Sequence, residues 1–256
     1  MTQTALITGA SSGIGYEMVQ LLAAEGYNLI LVARNHVKLQ EIKASLPNQQ
    51  VVVIAQDLSL PGASKLVYDK VAELGLTVDV LINNAGFGRV GAFHALTLQE
   101  QMQMIQLNIA ALTELTYLFL PDIKKRQGML LNVASTAAFQ PGPFMAVYFA
   151  SKAFVLSLTE ALAEELAGTG VHVTALCPGP THTNFGKVAH AENIKMFART
   201  MDAAVVAKKG WTALKSGKQV MITGAWNRVG AFAAKLLPSI VAVKAVRTVT
   251  RVKKEQ

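Results

Sequence analysis

Cysteine is almost missing from this chain: Cys177 stands alone among 256 residues. One thiol makes no internal disulfide and no thiolate-rich metal site, so the cytoplasm is the simplest compartment to expect. Charge is also scarce. Charged residues make up 16% and hydrophobic residues 52%, a balance that excludes a disordered chain and supplies a large core. Uninterrupted apolar runs of about 18 residues are lacking, and so is a basic segment followed by a long apolar one at the N-terminus. Neither a spanning helix nor a secretory leader is expected. The sequence has no repeats, low-complexity tracts or internal linkers, and one large domain accounts for its length. His182 and His190 have no second ligand at metal spacing, so no metal site is predicted.

What is present begins with short runs rich in Val, Ile and Leu: TALITG, YNLILVAR, QVVVIAQD, VDVLINNAG, GMLLNVAS, VHVTALCPG and KQVMITG. They do not alternate apolar with polar, so both faces should be buried, as in a parallel sheet. Segments of helical period lie between them. YEMVQLLAAEG stops at Gly26, and VKLQEIKASL sets Val37, Leu39 and Ile42 among charges. Strand alternating with helix predicts an α/β fold, a single doubly wound (Rossmann) domain with a seven-stranded, mainly parallel sheet over residues 1–224.

The first strand runs into TGASSGIG, with Gly9, Gly13 and Gly15 ahead of a helix. Glycines let the backbone turn and approach a ligand, and a helix N-terminus offers free N–H groups to a pyrophosphate. Ser11 and Ser12 add hydroxyls, and Ile14 lies within the loop. At the end of the second strand, where a carboxylate would meet the ribose hydroxyls of NAD, stand Ala33 and Arg34. A guanidinium there suits a 2′-phosphate and favours NADP(H); a solvated arginine opening a surface helix is the other reading.

Tyr148 and Lys152 stand four residues apart and share a face if helical. An ammonium beside a phenol favours phenolate and lowers its pKa from about 10, which suits a general acid or base. Ser135 closes the fifth strand, where its hydroxyl can bond a substrate oxygen as charge develops.

These motifs occur in order: TGASSGIG, Asp57, NNAG at 83–86, Asn108, Ser135, Tyr148-x-x-x-Lys152 and Pro178-Gly179. Together the chain resembles the short-chain dehydrogenase/reductase family from residue 2 to about 224. The resemblance implies hydride transfer between a nicotinamide and an alcohol or carbonyl carbon. Tyr148 is then the acid/base, and Lys152 also holds the nicotinamide ribose. Asn108 matches the asparagine that positions a water near Lys152. Asn84, Ala85 and Gly86 flank the cofactor, and Asp57 meets the adenine amino group or simply caps a helix. Thr183 lies near the carboxamide, with Thr181 where valine or isoleucine is usual. A non-catalytic NADP(H)-binding regulator or scaffold on the same fold is the rival reading.

The expected substrate is a small apolar carbonyl or alcohol, lined by Phe87, Phe139, Phe144, Met145, Phe185, Met196 and Phe197, with residues 184–209 as a mobile lid. Surplus apolar faces after Asn108 and Tyr148 predict a homodimer or homotetramer, since related enzymes pair these helices. The net charge of +8 is uneven: Arg228 to Gln256 carries seven cations against Glu255. A nearly neutral body is unlike a nucleic-acid binder, so no nucleic acid is expected. Residues 225–256 read as a basic amphipathic extension, with Val243, Val246 and Val249 at intervals of three. Peripheral contact with an anionic membrane, a subunit or lid contact, and a solubilising end all fit it.

Overall fold

A computed structural model describes residues 2–191, 194 and 200–250, apart from the side chain of Lys235. The seven apolar runs form seven strands: β1 (Thr4–Thr8), β2 (Asn28–Ala33), β3 (Val51–Ala55), β4 (Val80–Asn83), β5 (Met129–Val133), β6 (His172–Cys177) and β7 (Val220–Ile222). All pair in parallel, in the order β3-β2-β1-β4-β5-β6-β7. This is the doubly wound sheet that strand–helix alternation demands, because a parallel return needs a crossover.

Side-chain alternation divides the core. Ile7, Leu29, Leu31, Ile82 and Leu131 pack against α1 (Gly13–Ala24), α2 (His36–Ala44) and α8 (Ala203–Lys215). Leu6, Ile30, Val32, Leu81 and Leu130 face the other way, against α3 (Ala63–Glu73) and α5 (Leu112–Lys125). Burial on both faces explains why the strand sequences show no alternation. Asp79, 2% exposed, ties the strand starts together: its Oδ2 accepts from Thr4 N at 2.8 Å, and Arg126 pairs with Oδ1.

The helix after β4 is interrupted. α4 (Leu98–Ile105) opens on a capping box between Thr97 and Glu100, then passes through a π-helical stretch, Gln106–Ala111, into α5. π-segments of this kind tend to mark functional positions, and this one holds Asn108. α6 (Ala146–Glu165) is the long helix beside β5 and β6. By length and composition alone it is long and apolar enough to cross a membrane, although it holds no uninterrupted apolar run of the kind sought in the sequence. Here Phe149, Lys152, Val155, Leu156 and Thr159 are buried on the body of the domain, as in a core helix.

The C-terminal extension, one basic amphipathic segment by its sequence, forms two helices, α9 (Ala225–Leu236) and α10 (Ser239–Thr250). Pro238 separates them, holding Leu237 extended at φ −76°, ψ 145°. α10 is rich in β-branched residues, and packing sustains it: Ala242 and Thr250 are buried, and Val246 joins a cluster with Met145 and Phe149. Of the predicted lid, α7 (Phe185–Val188) and the start of α8 are described, and a bridge from Thr181, ahead of α7, to Met201, ahead of α8, ties the two ends of the segment together. Most of AHAENIKMFART, including Met196 and Phe197, lies outside the described residues.

Candidate active site

Strand order reverses between β1 and β4, and the crevice at the strands' C-terminal ends is where ligands bind in open α/β sheets. A cavity of about 660 Å³ lies there. Its wall runs from Gly9, Ser11, Ser12, Gly13 and Ile14 past Arg34 and Asp57 to Asn84, Ala85 and Gly86. It ends at Ser135, Tyr148, Lys152, Pro178, Gly179, Thr181 and Thr183. Seventeen of the nineteen residues singled out in sequence are therefore in one cavity. Gly15 and Asn108 support it from behind.

The loop's glycines are required by space. Gly9 and Gly13 have φ of +64° and +56°. A Cβ on Gly15 would lie 2.3 Å from the Gly9 carbonyl oxygen, and one on Gly13 would lie 2.8 Å from Thr183 Cγ2. Thr183 thus closes directly over the loop. Ser12 is the N-cap of α1 but makes no side-chain cap bond, so its hydroxyl is available to a ligand. Asn84 fixes the loop from β4: its Nδ2 donates to Thr8 O at 2.9 Å, while the Asn84 and Ala85 N–H groups donate to Thr8 Oγ1.

Arg34 is exposed on the wall and engages no ion pair among the described residues. Asp57 is not a helix cap. It accepts from Ser59 N and Ser59 Oγ in a side-chain turn, and Gly62 precedes α3 instead.

Tyr148 occupies the first turn of α6 and Lys152 the next, on one face. Lys152, 6% exposed, donates from Nζ to Val133 O at 2.7 Å and lies 6.0 Å from the Tyr148 ring centroid. Burial pushes the lysine down to about 8. Burial also pushes Tyr148 up to about 12, and a hydrogen bond with Ser135 opposes that shift. The sequence expectation of a phenol lowered by lysine is therefore reversed. Desolvation outweighs the cation, because the ammonium is turned toward a backbone carbonyl. Ser135 is held by Ala137 N at 3.1 Å and donates to Pro178 O at 3.4 Å.

Asn108 is 1% exposed and makes three of its four possible side-chain hydrogen bonds. Oδ1 accepts from Phe87 N at 3.1 Å, and Nδ2 donates to Phe87 O at 2.9 Å and Ser151 Oγ at 3.0 Å. Ser151 in turn donates to Tyr148 O at 2.7 Å. The asparagine side chain therefore braces the loop after β4 against the tyrosine's helix turn, with both Nδ2 hydrogens engaged and one lone pair of Oδ1 left for a further donor.

The apolar end of the cavity contains Phe87, Met145 and Phe185 as expected, but not Phe139 or Phe144. Phe139 packs beside Val155 and Cys177, and Phe144 stands at φ +64° beneath Arg247. Phe149, Val188, Asn227 and Val249 line it without having been read from the sequence. Asn227 fits against Gly179, where a Cβ would come within 2.2 Å of Nδ2. No local sequence signal marks Asn227, and the valine stripe that includes Val249 does not say what it covers, since each arrives from an extension folded back over the site.

A glycine-rich loop at a helix start, a Ser–Tyr–Lys group and an apolar wall in one crevice define a dinucleotide-linked oxidoreductase. The chain belongs to the short chain dehydrogenase family, whose pattern it matches over residues 3–193. It is 34% identical over 233 residues to a very-long-chain 3-oxoacyl-CoA reductase of Pyrenophora tritici-repentis, covering 87% of this chain and 68% of that one. Among the first curated relatives the chain spans 68%, 52% and 63% of their length. Its fold resembles a short-chain dehydrogenase from Sphingobium yanoikuyae solved in complex with NADPH, with TM-score 0.81, 30% identity, and coverage of 91% and 94% of the two chains. It also resembles a bulky-bulky ketone specific alcohol dehydrogenase from Comamonas testosteroni, with TM-score 0.76, 30% identity, and coverage of 91% and 93%.

Proposed function

We propose that this chain is an NADP(H)-dependent oxidoreductase that interconverts an apolar ketone and its secondary alcohol. The observation that carries this reading is the convergence of Ser135, Tyr148 and Lys152 on one wall of a cavity whose other end holds the glycine loop and Arg34. The residues fit the dinucleotide. The loop has the space that Cβ atoms would fill, the Ser12 hydroxyl is uncommitted to capping, and Arg34 offers an unpaired cation for a 2′-phosphate. Gly9, Ser11, Ser12, Gly13 and Ile14 would hold the pyrophosphate. Asp57 and Asn84 to Gly86 would flank the adenosine and ribose, with Pro178, Gly179, Thr181 and Thr183 beside the nicotinamide. When bound, the cofactor supplies or accepts a hydride.

In reduction, Ser135 bonds the carbonyl oxygen and Tyr148 keeps its proton until that oxygen gains negative charge. A phenol near 12 is fully protonated at neutral pH, and an alkoxide is the stronger base, so the proton passes downhill from Tyr148 Oη. Lys152 stays cationic below about pH 8 and stabilises the phenolate left behind. Asn108 acts as a positioning residue through Ser151. Phe87, Met145, Phe149 and Phe185 make an apolar wall suited to a hydrophobic flank on the substrate. The very-long-chain 3-oxoacyl-CoA reductase and the bulky-ketone enzyme, both named for carbonyl substrates, support the same class.

The test is NADPH oxidation by the purified chain against apolar ketones, 3-oxoacyl thioesters and small polar ketones, repeated with NADH. Turnover is expected with the apolar ketones. Tyr148→Phe should lower kcat by about 10²–10⁴-fold while NADPH binding, read by its fluorescence, persists. Arg34→Ala should reduce the preference for NADPH over NADH by roughly 10–100-fold, the loss of a charge-assisted bond. Bound NADPH with no turnover on any carbonyl would favour the regulator or scaffold reading.

A further inference from the structure

The outward sides of α9 and α10 are apolar and uncovered. Trp226 is 88% exposed, Phe232 67%, Leu236 71% and Ile240 66%. The contrast with Trp211, 2% exposed in the core, shows how unusual that placement is. Along α9 the spacing from Trp226 through Val229 and Phe232 to Leu236 keeps these side chains on one face. From Ala225 to Thr250 there is no acidic residue, while Arg228, Lys235, Lys244 and Arg247 are present, and Arg251, Lys253 and Lys254 follow with Glu255.

We propose that α9 and α10 dock this protein on an anionic lipid bilayer, with Trp226, Phe232, Leu236 and Ile240 in the headgroup region and the surrounding cations on acidic headgroups. Charge complementarity selects this occupant. Exposed apolar faces on two helices that carry Arg228, Lys244 and Arg247 and no Asp or Glu between Ala225 and Thr250 suit an acidic lipid surface. A second copy pressed onto those faces would set like charges against each other in a poorly solvated seam. Tryptophan at the boundary between water and lipid is also the side chain that such a surface accommodates best.

The position of the pair gives the docking a purpose. On its inner side α10 presents Val246 to Met145 and Phe149, and Val249 to the cavity itself. The helix that touches the bilayer is thus the roof over the apolar end of the site. A hydrophobic ketone dissolved in lipid can enter beneath α10 without crossing bulk water, a consequence that rests on the carbonyl-reductase reading above. The docking itself does not rest on that reading.

The full chain is mixed with vesicles of phosphatidylcholine alone, or of phosphatidylcholine with phosphatidylserine, and no cofactor or substrate is added. Co-sedimentation with the phosphatidylserine vesicles is expected, weakening as salt rises. Acrylamide quenching, which samples the exposed Trp226 and not the buried Trp211, should fall on binding. Trp226→Ser combined with Phe232→Ser should lower partitioning about tenfold or more, and Arg228→Gln combined with Lys244→Gln should lower it and flatten the salt dependence. Circular dichroism of these surface variants should match the parent, and turnover of a water-soluble ketone should be unchanged. Equal partitioning into both vesicle types, no partitioning, or a concentration-dependent dimer dispersed by Trp226→Ser and Phe232→Ser would overturn the proposal.

Discussion

Tyr148 and Lys152 show how far a pair of side chains depends on what surrounds it. As a pair in sequence they imply a phenol eased by a cation, but burial governs both groups once the helix is seated. Lys152 has a folded pKa of about 8 against 10.5 for the free side chain. Between those values the unfolded chain binds more protons, so stability rises with pH over that window, and the cost of burying the ammonium is felt in full below it. Urea denaturation of the parent and Lys152→Met should therefore diverge. Relative to the variant, the parent should gain up to about 3 kcal/mol between pH 8 and 10.5. The shift of Tyr148 has the opposite sign. Its unfolded form ionises first, so stability falls as pH rises from 10 toward 12. A parallel pH response in parent and variant would mean that Lys152 is not desolvated.

Among the elements, the helix after β4 is the most informative. Its π-helical stretch brings Asn108 to the backbone of Phe87 and to Ser151. The wider turn places one buried amide where it can satisfy both Phe87 groups, a task otherwise left to water. Asn108→Ala would strand those groups, at a cost of about 1–3 kcal/mol for each buried polar group left unpaired. Thermal unfolding should register that loss, and kcat should fall more than KM rises as Tyr148 loses its brace through Ser151. Asn108→Asp, which keeps the acceptor toward Phe87 N but not the two donor bonds, should recover only part of the stability. The strands, by contrast, were legible from their apolar runs, because burial on both faces leaves continuous Val, Ile and Leu. The π-stretch was not legible, since the one-residue slip it puts into the helical period is masked in a segment apolar on more than one face.

For the whole molecule, the extension is the feature that packing redefines. A chain ending at Leu237 removes α10 and with it Val246 and Val249 from the apolar end of the cavity. Its NADPH affinity should be retained, because the glycine loop and Arg34 lie at the other end. KM for apolar ketones should rise severalfold as that end opens to water. Equal KM values for the two chains would show that α10 takes no part in substrate binding. The surfaces of α5 and α6 also leave Tyr117 78% and Phe154 40% exposed. A homodimer or homotetramer through those helices is expected in sedimentation velocity, and Tyr117→Asp should shift it toward monomer.

The sequence by itself determined the sheet, the glycine-rich loop at the start of α1 and the helical spacing of Tyr148 and Lys152. Those depend on local rules: buried strands need unbroken apolar runs, a tight approach needs glycine, and an acid–base pair needs helical spacing. Tertiary structure alone decided the direction of the Tyr148 shift, the commitment of Asn108 and the recruitment of Asn227 and Val249. Each depends on which groups distant segments bring together and how much water they exclude, and neither quantity is written in the order of neighbouring residues.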